Sequence, residues 1–148
     1  MAQSTQTVES AQTVEQQNKA TIQAGFDRWK NGEGSIYDLL APDAKWTIVG
    51  TSLAAGTYNS RQEFLDTVIK PFNARVSKPL MPAIRGMVAE GDMVVVLWVG
   101  VATAKDGKPY RNTYSWFLQV DGKEIVGATA FFDTQVFDDF WTRVSPDQ

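Results

Sequence analysis

The sequence predicts an α+β domain in which helices pack on one face of a curved, mainly antiparallel sheet. Helix-type apolar spacing dominates the first half of the chain, whereas strand patterns dominate from residue 80 onward. A length of 148 residues favours one domain with a sizeable core. We therefore expect a single domain at 14–141, a flexible polar tail at 1–13 and a C-terminal tail at 142–148.

The first predicted helix begins near Val14. Ile22, Phe26 and Trp29 follow one another at helical spacing and form a single apolar stripe. Gly32 lies just beyond this stripe, where glycine commonly ends a helix. The pattern therefore predicts one long amphipathic helix that packs on the sheet.

Two further helices are indicated by capping patterns. Ser35 with Asp38 resembles a capping box, and so does Ser60 with Glu63. Pro71 is expected to end or kink the later of these helices, because proline cannot donate the helical hydrogen bond.

The strands are predicted from apolar runs bounded by turn residues. Asp121-Gly122 suits a tight hairpin turn and joins the last two strands, which span 110–134. The segment at 134–141 is interpreted as a strand extension or a short amphipathic tail. Earlier strands are expected at 44–49, 80–89 and 93–103.

The first strand of the hairpin carries one large inner face. Asn112, Tyr114, Trp116 and Leu118 alternate along it, so their side chains share that face. The face is aromatic and has two polar groups. It is either an ordinary core face or the wall of a ligand pocket.

Composition excludes several classes of site. The chain has no Cys and no His, which removes disulfides, thiol nucleophiles, His-based triads and zinc sites that use these ligands. We expect neither a metal nor a cofactor. The net charge of −3 and the lack of a basic cluster argue against nucleic acid. We also expect no membrane span and a cytoplasmic location.

A series of short motifs follows one order through 14–141. They are the helix ending in Trp29 and Gly32, LLAPDAKW at 39–46, Gly56-x-Tyr58 before the helix at Phe64, NTYSWF at 112–117, DGKEIV at 121–126 and FFDT at 131–134. Together they resemble the SnoaL-like branch of the NTF2-like superfamily, which includes ketosteroid isomerase and limonene epoxide hydrolase.

The resemblance implies a cone-shaped, NTF2-like (cystatin-like) fold. In it, three N-terminal helices pack on a strongly curved sheet, and a deep pocket opens at one end. It also implies frequent dimers, so we expect a homodimer. Catalytic relatives place acids in the pocket, but the matching positions here are Trp98-Val99-Gly100, Trp46-Thr47-Ile48 and Ala130.

Asp133 is the best remaining candidate for a catalytic base. It ends a strand beside Phe131 and Phe132, and burial among aromatic side chains would favour its use as a base. The alternative is that Asp133 bonds nearby backbone or the Thr134 hydroxyl at the strand end.

The candidate ligand-binding residues are mostly aromatic. Three tryptophans could form flat apolar walls, Tyr58 could lie at the pocket mouth, and Asn112 with Tyr114 could orient a carbonyl or hydroxyl group. The alternatives are core filling for the tryptophans, bonding within the protein for Asn112 and Tyr114, and a surface turn position for Tyr58. The full predicted set is Trp46, Tyr58, Trp98, Asn112, Tyr114, Trp116, Ala130 and Phe132.

Three functions fit these patterns. The first is a protein that binds a small hydrophobic molecule in an aromatic pocket. The second is a cofactor-independent isomerase, cyclase or hydrolase that uses Asp133. The third is a dimeric interaction module whose cone is filled by side chains.

Overall fold

The computed structural model describes residues 12–147, so most of the tail predicted at 1–13 lies outside it. It contains two main helical segments, six strands and a short C-terminal helix. A 3₁₀ turn lies at Ile36–Leu39. In chain order the elements are α1 (Val14–Lys30), β1 (Leu40–Ile48), β2 (Gly56–Tyr58), α2 (61–73), β3 (Val76–Glu90), β4 (Met93–Ala104), β5 (Pro109–Asp121), β6 (Glu124–Phe132) and α3 (Thr134–Arg143).

The six strands form one open sheet in the order β2-β1-β6-β5-β4-β3. Neighbouring strands are antiparallel except β1 and β6, which pair in parallel through Trp46 with Ala128 and Ile48 with Ala130. The helices cover the concave face. The prediction of an α+β, NTF2-like fold with a curved and mainly antiparallel sheet is confirmed.

Helix α1 packs its apolar stripe on the side of the sheet formed by β3 and β4. Thr13 and Gln16 form a reciprocal capping box that holds its first turn at 3.0 and 2.9 Å. Ile22 and Phe26 are fully buried, and the Phe26 ring lies 5.6 Å from that of Trp98. The long amphipathic helix predicted from residue 14 is therefore present.

Helix α2 contains a widened turn. It begins after Ser60, whose hydroxyl accepts from the backbone N–H of Glu63 at 3.1 Å. Residues Leu65–Ile69 form a π turn, and the N–H of Lys70 bonds the carbonyl of Leu65. The turn lies just before Pro71, whose ring would clash with the carbonyl of Thr67 in a regular α-helix. The helix thus passes its proline by widening and ends at Asn73.

The hairpin of β5 and β6 forms the centre of the sheet. Asp121 pairs with Glu124, so the two-residue loop is Gly122-Lys123, one residue later than the predicted turn. Gly122 has φ of 63°, a value that favours glycine. Along β5 the even-numbered residues from Tyr110 to Val120 are buried, as the alternation predicts.

The edges of the fold differ from the predicted elements. β3 is an edge strand and begins at Val76, earlier than expected. Its pairing with β4 shifts register between Val76 and Met81 and again between Ile84 and Gly86. As an edge strand, β3 can accommodate Pro79 and Pro82. Residues after Asp133 form helix α3 rather than a strand extension. Within 12–147 no helix has the length and apolar character needed to cross a bilayer.

Candidate functional site

A cavity of about 590 Å³ lies between the helices and the concave face of the sheet. The C-terminal end of α1, helix α2, the start of β3 and strands β1, β5 and β6 all contribute to its walls. Aromatic side chains make up much of the lining: Trp29, Tyr37, Trp46, Phe64, Phe72, Tyr114, Trp116, Phe132 and Phe137.

The cavity opens between the loop after α1 and the start of β3. The exposed members of the lining lie there, at Gly32, Gly34, Asn73, Ser77, Pro79 and Met81. Deeper residues such as Ala130 are buried. The site is therefore a pocket with one small, weakly polar rim and an aromatic interior.

The aromatic walls hold each other in place. Trp46 stacks on Phe64 with ring centres 4.4 Å apart and meets Trp116 edge to face at 4.9 Å. Trp29 stacks on Trp116 from the helix side at 6.4 Å. Because these rings come from α1, α2, β1 and β5, the pocket shape depends on how the two layers pack.

A buried polar chain reaches the cavity along β5. The Asn112 amide donates to the Tyr110 hydroxyl at 2.9 Å, and the Tyr110 hydroxyl lies 2.6 Å from that of Tyr114. Asn112 also pairs with both backbone groups of Asp133, donating to its carbonyl and accepting from its N–H at 3.0 Å each. The last member, Tyr114, lines the cavity.

The tyrosines around the cavity are neutral donors at physiological pH. Burial raises the pKa of Tyr110 to about 12. Burial also raises the pKa of Tyr114 and that of Tyr37 far above the usual value. None of the three therefore acts as a phenolate near neutral pH.

The sequence matches the family model of the SnoaL-like domain over residues 22–128, most of the chain. This chain belongs to the SnoaL-like family. No match is found among curated protein sequences.

Solved structures with the same fold match most of this SnoaL-like chain. Bal32a, from a soil-derived mobile gene cassette, has a TM-score of 0.73 at 17% identity, over 87% of this chain and 99% of that one. A putative SnoaL-like polyketide cyclase from a Jannaschia species has a TM-score of 0.69 at 14% identity, over 90% and 96%. A Catenulispora acidiphila protein with a ketosteroid isomerase-like fold, in complex with trimethylamine, has a TM-score of 0.62 at 16% identity. The match covers 86% of this chain and 95% of that one. At these identities the likeness shows the fold alone.

Five of the residues predicted to bind a ligand line the SnoaL-like cavity. Trp46 comes from β1 and the others from the central hairpin. They are Trp46, Tyr114, Trp116, Ala130 and Phe132. Their shared location supports a pocket on this face, and their contact with a ligand stays a prediction.

Three predicted residues lie outside this lining. Trp98 is fully buried behind the cavity, where its ring stacks on Tyr114 at 4.1 Å. Tyr58 donates its hydroxyl to the carbonyl of Ala54 at 2.7 Å. Asn112 reaches the cavity only through Tyr110 and Tyr114.

Asp133 lies at the junction of β6 and α3 and is exposed. Its carboxylate accepts from the backbone N–H groups of Gln135 and Val136 at 3.1 and 3.3 Å, which makes it the N-cap of α3. The side chain does not line the cavity described above. Its use as a base stays a prediction, whereas the backbone bonding considered as the alternative is present.

Sequence reasoning missed several residues of the site. Tyr110 lies two residues before Asn112, so the same alternation that selected Asn112 and Tyr114 would have included it. The helical spacing of Phe64, Val68 and Phe72 predicts the inner side of α2, but it does not distinguish a cavity wall from packed core. Leu80 on β3 carried no comparable signal. Their positions follow from how helices pack on the sheet.

Proposed function

We propose that this SnoaL-like protein binds a neutral, hydrophobic small molecule in its aromatic cavity. The observation that carries the proposal is the chemistry of the lining: it is rich in aromatic rings and includes no Asp, Glu, Lys or Arg among the described residues. A charged ligand would lose its hydration there without gaining a partner. An apolar ligand would bury its surface against flat rings.

The cavity volume favours binding over the hypothesis of a filled cone. A space of about 590 Å³ falls within the range of pockets that hold drug-sized molecules. Its polar side-chain groups are uncharged: the hydroxyls of Ser35, Tyr37, Ser77 and Tyr114, the amide of Asn73 and the indole N–H groups of Trp29, Trp46 and Trp116. Such a lining suits a ligand that needs one or two oriented hydrogen bonds.

The enzymatic alternative has less support. An isomerase, cyclase or hydrolase mechanism that uses Asp133 needs this carboxylate beside the substrate. Here the carboxylate caps α3 and is exposed to solvent. The fold neighbour from Jannaschia is described as a putative polyketide cyclase. Because no acidic side chain lines the cavity among the described residues, we propose ligand binding rather than catalysis.

Binding can be tested by placing a larger side chain on α2, where it would fill part of the cavity. Ile69 lines the cavity, whereas the half-buried Leu65 on the same helix does not. We expect the neutral fluorescent probe N-phenyl-1-naphthylamine to bind the native protein. Ile69→Trp should weaken its binding by roughly tenfold or more, about 1.4 kcal/mol, because the indole occupies ligand space. Fluorescence titration measures both affinities.

Leu65→Trp is the matched control, because it adds the same side chain outside the cavity. Its affinity for the probe should stay within about twofold of the native value. An equal loss of probe affinity in both variants would show that the probe does not occupy this cavity. No binding to the native protein, at probe concentrations up to its solubility limit, would overturn the proposal.

We also propose that the protein forms a homodimer through the outer face of the sheet. Leu97, Val101 and Phe131 project from this face and are each more than two-fifths exposed. Leu97 and Phe131 lie in one row across the sheet, on either side of Ser115. A broad apolar face on a sheet is self-complementary across a two-fold axis, so a second copy of the chain would cover it.

A further inference from the structure

The orientation of the Asn112 amide is fixed by two backbone groups. The N–H of Asp133 can only donate, so the atom facing it must be the oxygen of the Asn112 amide. The carbonyl of Asp133 can only accept, so the amide nitrogen must face it. That nitrogen is also the atom 2.9 Å from the Tyr110 hydroxyl. Asn112 is therefore a donor to Tyr110.

The Tyr110 hydroxyl then has one place for its own hydrogen. Among the described residues it has two partners, the Asn112 nitrogen and the Tyr114 hydroxyl. The Asn112 nitrogen cannot accept a hydrogen bond. Tyr110 is almost fully buried between the rings of Phe72 and Phe140, where an unpaired hydroxyl hydrogen would be costly. Tyr110 therefore donates to Tyr114.

We propose that the hydroxyl hydrogen of Tyr114 is directed to the cavity as a hydrogen-bond donor and selects ligands that present an acceptor oxygen. The Tyr114 oxygen already accepts from Tyr110, and Tyr114 lines the cavity. Its hydrogen has no protein acceptor among the described residues other than Tyr110, which is itself the donor. Asn112 and Tyr110 act as positioning residues for this one donor.

This inference rests on the proposed binding function and narrows its ligand class. The ligand should be a neutral, largely apolar compound with a ketone, quinone, ester or ether oxygen. A second donor in the same position would repel the Tyr114 hydrogen, so the site should disfavour an alcohol of the same shape when that alcohol can only donate there.

The test compares two naphthalenes of nearly equal shape. The carbonyl of 2-acetylnaphthalene can accept a hydrogen bond, whereas 2-isopropenylnaphthalene has a methylene group in its place. Equilibrium dialysis gives the ratio of their affinities, which removes the shared apolar contribution. We expect Tyr114→Phe to lower the ketone-to-alkene ratio by about threefold to tenfold, the effect of one neutral hydrogen bond.

Thr113→Val is the matched control, because Thr113 lies on the same strand and faces the opposite, exposed side. It removes a hydroxyl from β5 without touching the cavity, so the ratio should not change. The infrared carbonyl stretch of bound 2-acetylnaphthalene gives a second readout. It should lie below its value in an apolar solvent in the native protein and return to that value in Tyr114→Phe.

Tyr110→Phe tests the direction of the chain. With the proposed order, the loss of Tyr110 leaves Tyr114 as a donor, so the ketone preference stays equal or falls. With the opposite order, Tyr114 would be released from Tyr110, and the ketone preference would rise. A rise would overturn the inference.

The remaining outcomes separate the two proposals. If the native protein binds both compounds and Tyr114→Phe leaves their ratio unchanged, the inference fails while the binding function stands. If the native protein binds neither compound, the binding function fails and the inference with it.

Discussion

At the scale of single residues, Asp133 and Asn112 secure one junction from two sides. Asn112 on β5 pairs with the backbone of Asp133, and the Asp133 carboxylate caps the helix that follows. This junction sets where β6 ends and α3 begins. It also orients the amide from which the polar chain to the cavity starts.

Two substitutions separate the capping role of Asp133 from a role of its charge. Asparagine is as good an N-cap as aspartate, whereas alanine offers no acceptor. We expect Asp133→Ala to lower the free energy of unfolding by about 1 kcal/mol and Asp133→Asn to lower it by only a few tenths. Urea denaturation measures both. An equal loss in the two variants would show that the negative charge near the helix N-terminus dominates.

The same pair of variants addresses catalysis. Asp133→Asn keeps the cap and removes the base, so any turnover that is found for the native protein should disappear if Asp133 is the base. Retained turnover in this folded variant would contradict the catalytic prediction for Asp133.

Single residues also show where sequence patterns stop being informative. Alternation along β5 places Tyr114 and Trp116 on the inner face, and the structure agrees. The same rule applies to Trp98 on β4, yet this ring lies behind Tyr114 and outside the cavity lining. Alternation distinguishes inside from outside. It does not distinguish a filled core from a cavity wall, because both are apolar inner faces.

At the scale of elements, the π turn of α2 shapes one cavity wall. Phe64 precedes the turn, and Val68 and Ile69 lie within it. All three line the cavity. In the widened turn two consecutive residues, Val68 and Ile69, face the ligand space. Sequence could predict a disturbance at Pro71 but not its form, since kinking, termination and widening all relieve the same clash.

Deleting Thr67 in a Pro71→Ala background should convert the π turn into a regular α-helical turn, because alanine removes the proline ring that would clash with the preceding turn. The bond from Lys70 to Leu65 would then span four residues instead of five. We expect the helix to persist by circular dichroism while the cavity wall narrows. The affinity for N-phenyl-1-naphthylamine should fall by roughly tenfold, as measured by fluorescence titration.

Thr67→Ala in the same Pro71→Ala background is the control for this deletion, because Thr67 is exposed and the chain length stays unchanged. Its affinity should equal that of the native protein. If the deletion variant folds and binds the probe normally, the π turn does not determine the cavity.

At the scale of the whole molecule, the two faces of the sheet have different surroundings. The concave face is covered by helices and holds the cavity, whereas the outer face exposes Leu97, Val101 and Phe131. Most of this layout could be predicted, because helical spacing, turn residues and period-two alternation agree along the chain. The cavity itself could not, since its volume depends on distances between layers that no local pattern encodes.

The outer face gives a prediction about assembly. Native protein should sediment as a dimer of the 16.4 kDa chain. Leu97→Glu should shift it to monomer, because it places two like charges near one another across the two-fold axis. Val14→Glu is the control, since Val14 is also apolar and even more exposed than Leu97 but lies on α1. A native protein that sediments as a monomer would contradict a dimer through the sheet. So would the same oligomeric state in the two variants.

The parallel pairing of β1 and β6 also has a consequence for folding order. On the side of β1 that faces β6, Trp46 and Ile48 pair with residues 128 and 130, which are synthesised more than eighty residues later. The part of the sheet that lines the cavity is therefore completed only when almost the whole chain has been synthesised. Such distant pairing slows folding, because a long loop must close before the contact stabilises it. Until then Trp46 and Trp116 remain apart, and the nascent protein has no binding site.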